Sequence, residues 1–196
     1  MLSSVASATF YYDFNSPYAY LAAERLDELV PGAEWRPIAF AILLNQLGEL
    51  DKRLTNLNTA PIVEEVSQRL ADRGMPAFAP PDAWPVQSWS LTPLRAALVA
   101  DELGRQREFG LAAFRKSFVE SRSLAELPNV LAAASDAGLD PDEVADGIRR
   151  DEVKERLKAN TAEALERGVT GIPTVAIGDE LFWGDDRLDE AARTVR

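Results

Sequence analysis

Alternating hydrophobic and polar positions near the start of the chain predict two β-strands. Residues 9–14 place Phe10, Tyr12 and Phe14 on one face, as in a strand that packs on a core. A second strand is predicted over residues 34–40. Its Pro37 lacks a ladder donor, which indicates a bend or a strand at the edge of the sheet.

The pattern changes to helical spacing from about residue 41 and returns to strands at the end of the chain. Apolar residues recur every three or four positions up to about residue 167, apart from an aromatic, proline-rich segment that predicts an ordered loop over 75–85. Residues 174–177 and 180–183 then predict a hairpin on a two-residue Gly-Asp turn, followed by a short helix.

This order predicts an α/β fold in which the terminal strands share one sheet. The first two strands are joined through a helix and should pair parallel, whereas the hairpin should be antiparallel. We therefore expect a mixed four-stranded sheet with a large all-helical insertion. The predicted domains are residues 1–40 with 155–196, and the insertion 41–154.

Composition removes several kinds of chemistry, because the 196 residues include no Cys and no His. A thiolate nucleophile, a disulfide, a Cys/His zinc site and a Ser-His-Asp triad are all excluded, and no metal is expected. An enzyme with this composition must use hydroxyls, carboxylates, Arg, Lys, backbone dipoles or a bound reagent.

Charge and hydropathy bear on partners and location. A formal net charge of −11 argues against nucleic-acid or anionic-membrane partners. No apolar run is long enough for a bilayer span and the start does not resemble a secretory signal, so a cytoplasmic location is expected.

Ser16 is the first candidate for chemistry, because it lies where the first strand gives way to a helix opened by Pro17. A hydroxyl at a helix N-terminus can donate to an anion, including a thiolate, and so lower the thiol pKa. The alternative is that Ser16 serves only as the N-cap.

Two segments near the other end of the chain are also candidates. A Gly-Ile-Pro step at 171–173 precedes a strand, where a cis proline would leave backbone groups free for a peptide-like ligand; an ordinary turn is the alternative. Asp185, Asp186 and Arg187 could bind an amine and a carboxylate, or could simply cap the last helix.

Together these segments resemble 2-hydroxychromene-2-carboxylate isomerases and kappa-class glutathione transferases, which belong to the DsbA-like branch of the thioredoxin superfamily. The resemblance covers the opening motif, the cis-proline loop, and the closing hairpin with its glutathione-binding turn. In this chain these are Asp13-Phe14-Asn15-Ser16-Pro17-Tyr18-Ala19-Tyr20-Leu21, Gly168-Val169-Thr170-Gly171-Ile172-Pro173-Thr174, and Gly178-Asp179-Glu180-Leu181-Phe182-Trp183-Gly184-Asp185-Asp186-Arg187-Leu188.

The resemblance implies that glutathione, or another low-molecular-weight thiol, is the cofactor. Ser16 stands where redox relatives carry their first active-site Cys, and would hydrogen-bond the thiol sulfur. The backbone of Ile172, held by a cis Pro173, would pair with the tripeptide. Asp186, with Asp185 and Arg187 beside it, would bind the γ-glutamyl end.

The expected substrate is a small aromatic conjugated acid. Its pocket would be lined by Tyr18, Trp84 and Trp183, and by Glu49, an acid close to where the family carries Gly-Asn and a ligand-contacting Lys. The leading hypothesis is a thiol-dependent isomerase, and the resemblance implies a homodimer. The alternatives are a kappa-type transferase or a non-catalytic thioredoxin-fold protein that binds a peptide or thiol. A dithiol oxidoreductase is excluded because Cys is absent.

Overall fold

A computed structural model describes residues 7–82, 84–86 and 89–195. Its four strands are β1 (Ala8–Tyr12), β2 (Glu34–Pro37), β3 (Thr174–Ile177) and β4 (Glu180–Trp183), arranged in the order β2-β1-β3-β4. β1 and β2 are parallel, while β1 with β3 and β3 with β4 are antiparallel. The predicted mixed sheet is confirmed, and β2 lies at its edge.

Ten helices surround this sheet in the described part of the chain. Their bounds are α1 (Pro17–Leu29), α2 (Phe40–Gln46), α3 (Leu50–Thr55), α4 (Ala60–Asp72), α5 (Leu91–Glu102), α6 (Gln106–Phe118), α7 (Leu127–Asp136), α8 (Pro141–Gly147), α9 (Asp151–Glu166) and α10 (Leu188–Thr194). A short 3-10 turn, Asp185–Arg187, joins β4 to α10.

The first strand is buried on both faces. Phe10, Tyr12 and Phe14 share one face of β1 and its extension, as predicted, and are buried with the helical insertion. Phe114 of α6 packs directly on Tyr12 and on Phe14. The opposite face, which includes Tyr11, is covered by a smaller apolar cluster with residues from α2 and α9.

β2 ends three residues earlier than predicted. The Ile38 amide still donates to the Tyr12 carbonyl at 3.0 Å, but the Phe40 amide turns to the Asp13 carboxylate at 3.0 Å and begins α2. The Asp13 carboxylate thus takes the place of the next backbone acceptor on β1, and the pairing of β2 with β1 stops there.

The sheet and the insertion share one main core, since Phe114 belongs to the insertion and Tyr12 to the sheet. The predicted division into two domains stays a prediction, and its boundary at 154/155 falls inside α9. Within the described residues, no helix combines the length and apolar character needed to cross a membrane.

Candidate functional site

The sheet topology brings the candidate segments to one end of β1. The register pairs Tyr11 with Thr174, so β1 ends where Pro173 leads into β3. Thr174 in turn lies opposite Trp183, and the Gly184 amide donates to the Pro173 carbonyl at 2.9 Å. The strand-to-helix junction, the proline loop and the 3-10 turn are therefore neighbours.

Ser16 is half-buried at the N-terminus of α1. Its Oγ accepts a hydrogen bond from the Ala19 amide at 3.2 Å, which confirms the N-cap. Accepting this bond uses a lone pair of the oxygen and leaves the hydroxyl proton available. Capping and donation to an anion are therefore compatible at Ser16, rather than alternatives.

The Ile172–Pro173 peptide bond is cis, as the resemblance implies. The Ile172 side chain is buried in the smaller cluster. Among the described residues, the Ile172 amide and carbonyl form no hydrogen bond with other backbone groups. An extended peptide backbone is the natural partner for two such groups beside a sheet.

The Trp183 indole packs closely against Gly171 of the proline loop. A Cβ placed on Gly171 would lie 2.2 Å from the Trp183 Nε1, so the indole needs a glycine at that position. The Trp183 side chain remains 54% exposed. It therefore offers an apolar wall beside Pro173.

Asp185 and Asp186 differ sharply in environment, although they are adjacent. The Asp185 side chain is fully buried, with one oxygen accepting from Arg69 and the other from Arg73 at 2.7 Å. Its expected ligand role is not supported by this geometry, because both oxygens already have partners within the protein. Asp186 is exposed, and the Arg187 side chain next to it pairs with Glu190.

Tyr18 contacts two residues of α4, one of which is the Arg69 that pairs with Asp185. Its hydroxyl donates to Glu65 at 2.6 Å, and the Arg69 guanidinium lies 5.7 Å from the ring centroid. Burial, with the Glu65 hydrogen bond, raises the pKa of Tyr18 to about 12. Tyr18 is therefore neutral at physiological pH, with its hydroxyl committed to Glu65.

The proline-rich loop contacts the junction beside Ser16. The Trp84 Nε1 donates to the Asn15 carbonyl at 2.9 Å, and the Asn15 Nδ2 donates to the Pro85 carbonyl at 3.1 Å. The Trp84 ring also packs edge-on against Phe78. Trp84 therefore lies next to the site, but its indole N–H is already used by the backbone.

A buried carboxylate at Asp13 connects three segments around Ser16. It accepts from the Asn15 amide, the Phe40 amide and the Ser90 hydroxyl, each at 3.0 Å. Burial raises the pKa of Asp13 above its usual range. The sequence signal for this role was an acid placed directly after an aromatic strand.

Glu49 forms its ion pair within its own segment. It precedes α3 and pairs with Lys52 at 2.7 Å, which lowers the Glu49 pKa. Of the predicted residues, the structure gathers Ser16, Tyr18, Trp84, Ile172, Pro173, Trp183 and the 185–187 turn. Sequence reasoning missed the site-adjacent Asp13, Asn15, Glu65, Arg69 and Arg73.

Residues 8–196 match the family described as the DsbA-like thioredoxin domain. The chain belongs to this DsbA-like family. That membership covers nearly the whole chain, and it confirms the fold implied by the resemblance.

Relatives of this DsbA-like protein carry one shared name. It is 28% identical over 190 residues to the 2-hydroxychromene-2-carboxylate isomerase of Sphingobium xenophagum, covering 92% of this chain and 93% of the relative. It is 26% identical over 187 residues to the isomerase of the same name from Pseudomonas sp. (strain C18), covering 91% and 85%. The isomerase part of the resemblance is thereby confirmed, while the kappa-class part stays a prediction.

A solved 2-hydroxychromene-2-carboxylate isomerase has the same fold. The DsbA-like chain superposes on it with a TM-score of 0.79 at 22% identity, covering 95% of this chain and 92% of the other. The expected thiol cofactor and homodimer stay predictions.

Proposed function

We propose that this DsbA-like protein is a thiol-dependent isomerase acting on 2-hydroxychromene-2-carboxylate or a similar conjugated acid. The observation that carries the proposal is Ser16, a helix-capping hydroxyl with its proton available, at the end of the sheet where the cis Pro173 lies. The name shared by relatives over more than 90% of this chain supports the reaction class.

The residues present fit a tripeptide thiol such as glutathione. The amide and carbonyl of Ile172, which have no backbone partner in the part of the chain that the structure describes, can pair with a peptide backbone. The exposed carboxylate of Asp186 can bind the γ-glutamyl ammonium. Trp183, which packs on Gly171, would shield one side of the loop from water.

Bound glutathione would supply a thiolate that adds reversibly to the conjugated acid, so that a double bond becomes single, rotates, and reforms as the thiol leaves. Ser16 donates its hydroxyl proton to the sulfur and favours the ionised thiol, helped by the positive end of the α1 dipole. The protein contributes position and charge stabilisation and requires no nucleophile of its own.

The test compares three substitutions of Ser16, with isomerisation of 2-hydroxychromene-2-carboxylate followed with and without glutathione. Ser16→Ala should lower the thiol-dependent kcat/KM by about 10²-fold, a typical loss for one donor to a developing or bound anion. Ser16→Asp retains an N-cap but offers no hydroxyl, and should be at least as impaired. Ser16→Thr should restore much of the activity.

The pH dependence of the thiol-dependent activity distinguishes the two roles of Ser16, donation to the thiol sulfur and capping of α1. Loss of the Ser16 donor should move the thiol pKa upward in the bound complex, which a capping defect alone does not do. An unchanged profile in Ser16→Ala would show that the hydroxyl is not at the sulfur. Wild-type protein that binds glutathione without isomerising the acid would favour a non-catalytic binding role.

A further inference from the structure

Asp13 closes the turn that leads from β1 into α1. Its carbonyl accepts from the Ser16 amide at 3.1 Å, and its carboxyl oxygen Oδ1 accepts from the Asn15 amide at 3.0 Å. The first bond closes a β-turn over residues 13–16, and the second is an Asx turn within it. The main chain of Ser16 is therefore fixed by Asp13 from the side of the strand.

The main chain of Ser16 is also fixed from the side of the helix. Its carbonyl accepts from the Ala19 amide at 3.1 Å and from the Tyr20 amide at 3.2 Å, and its Oγ accepts from the Ala19 amide at 3.2 Å. The Ala19 amide thus shares its proton between two oxygens of Ser16. Since movement of Ser16 would lengthen these bonds, exchange of the Ala19 amide with solvent reports how firmly Ser16 is held.

The second carboxyl oxygen of Asp13 binds the helical insertion. Its Oδ2 accepts from the Phe40 amide, which begins α2, and from the Ser90 hydroxyl, which precedes α5, each at 3.0 Å. Asp13 is only 2% exposed, so bulk water competes little for these donors. The insertion and the turn before Ser16 therefore meet at one carboxyl group.

Both donors from the insertion are taken from their own local structure. Ser90 occupies the N-cap position of α5, yet its hydroxyl caps no amide in the described residues 91–102. A serine at this position usually stabilises its helix by such a bond. The Phe40 amide likewise turns away from the pairing of β1 with β2. Departures of this kind from the locally favoured arrangement are expected beside functional groups.

We propose that Asp13 is a positioning residue for Ser16, because its carboxyl group holds the turn against the insertion and so keeps the Ser16 hydroxyl at the thiol sulfur. The inference rests on the thiol-dependent reaction proposed above. Asp13 is buried, touches neither thiol nor substrate, and acts through Ser16. A donor that moves by about 1 Å can lower a rate by up to about 10²-fold, so loss of this support should be measurable.

A double-mutant cycle on kcat tests whether Asp13 acts through Ser16. Asp13→Asn offers one acceptor oxygen to three donors, and should lower the thiol-dependent kcat by about tenfold while the KM for glutathione stays within about twofold. In the Ser16→Ala background the same substitution should change kcat by less than about twofold, because the hydroxyl that it positions is gone. Equal losses in the two backgrounds would overturn the proposal.

Thr161→Val is the matched control for a loss of stability. The Thr161 Oγ1 accepts from the Ala39 amide at 3.0 Å, one residue before Phe40, and Thr161 is buried. The substitution removes a buried acceptor from the same segment and leaves the bonds of Asp13 in place. It should lower the urea midpoint to a degree similar to Asp13→Asn, yet keep kcat within about twofold. A tenfold fall in kcat here would also overturn the proposal.

Ser90→Ala provides a milder variant that does not depend on the folding of Asp13→Asn. It removes one of the three donors to Asp13 and leaves the carboxyl group itself unchanged. We expect kcat to fall by about threefold, and the fall to disappear in the Ser16→Ala background. An unchanged kcat in Ser90→Ala would overturn the role given to the insertion.

Hydrogen exchange of the Ala19 amide needs neither thiol nor substrate, so the two proposals can fail independently. Asp13→Asn should speed this exchange by about tenfold, and Thr161→Val should leave it within about twofold of the wild type. Faster exchange in Asp13→Asn, without any thiol-dependent turnover by the wild type, supports the fixing of Ser16 by Asp13 and refutes the proposed reaction. Unchanged exchange overturns the positioning role even where turnover is observed.

Discussion

Arg69 of α4 donates to the fully buried carboxylate of Asp185, beside the exposed Asp186. Arg73, the residue that caps the C-terminus of α4, donates to the second oxygen of the same carboxylate. Both arginines belong to the helical insertion, whereas Asp185 follows the hairpin. The ion pair therefore fixes the insertion against the turn that carries the proposed ligand-binding Asp186.

Removing the negative charge of Asp185 should destabilise the folded protein. Asp185→Asn leaves two arginines facing a neutral group, and we expect a loss of about 3 kcal/mol in the free energy of unfolding. Asp186→Asn, one residue away but exposed, should stay within about 0.5 kcal/mol of the wild type. Urea unfolding measures both. Equal losses from the two substitutions would contradict the assignment of Asp185 as the structural acid.

The fold could be predicted largely from local sequence pattern. The alternation around Phe10 and Tyr12 and the Gly178–Asp179 turn are short-range signals, and each corresponds to an observed strand or hairpin. The predicted end of β2 was wrong because the Phe40 amide donates to the side chain of Asp13, which is 27 residues away in the sequence. A contact this distant is not visible in the local pattern.

The site was predicted less completely, because its details depend on contacts far apart in the chain. Nothing local separates Asp185 from Asp186; the difference comes from Arg69, which is 116 residues away from Asp185. The contacts of Asn15 with Trp84 and Pro85 likewise span about 70 residues. Such pairings depend on how the insertion packs on the sheet, which hydrophobic periodicity does not encode.

Gly171 should be intolerant of even one methyl group. A Cβ there would overlap the Trp183 indole, so Gly171→Ala should displace the ring and cost about 2 kcal/mol. In the Trp183→Ala background the same substitution should cost much less, because the clash is gone. A double-mutant cycle on urea unfolding measures this coupling. Additive effects would show that the indole does not lie on Gly171.

Tyr18 should act through its ring rather than its hydroxyl. Since its pKa is raised to about 12 and its hydroxyl is bonded to Glu65, it is poorly placed to transfer protons. Tyr18→Phe should lose about 1 kcal/mol of stability and keep thiol-dependent kcat within about threefold. Tyr18→Ala should lower kcat/KM further. A hundredfold fall in kcat for Tyr18→Phe would instead identify the hydroxyl as an acid.

Asp13 should leave a measurable signature in the pH dependence of stability. Burial raises its pKa in the folded protein above the unfolded value of about 3.9. Between those two pKa values the folded state binds the proton and the unfolded state does not. The stability contributed by protonated Asp13 is therefore fully present below the unfolded pKa and lost as the pH rises through the folded pKa.

Asp13→Asn isolates this contribution, because other titrating groups affect both proteins alike. The variant should be less stable than the wild type at low pH, since an amide nitrogen cannot accept from the Phe40 amide as a carboxyl oxygen does. That difference should narrow by about 1.4 kcal/mol for each pH unit within the window. Urea unfolding at a series of pH values measures it. A difference that widens with rising pH would mean that the ionised carboxylate is the favoured folded form.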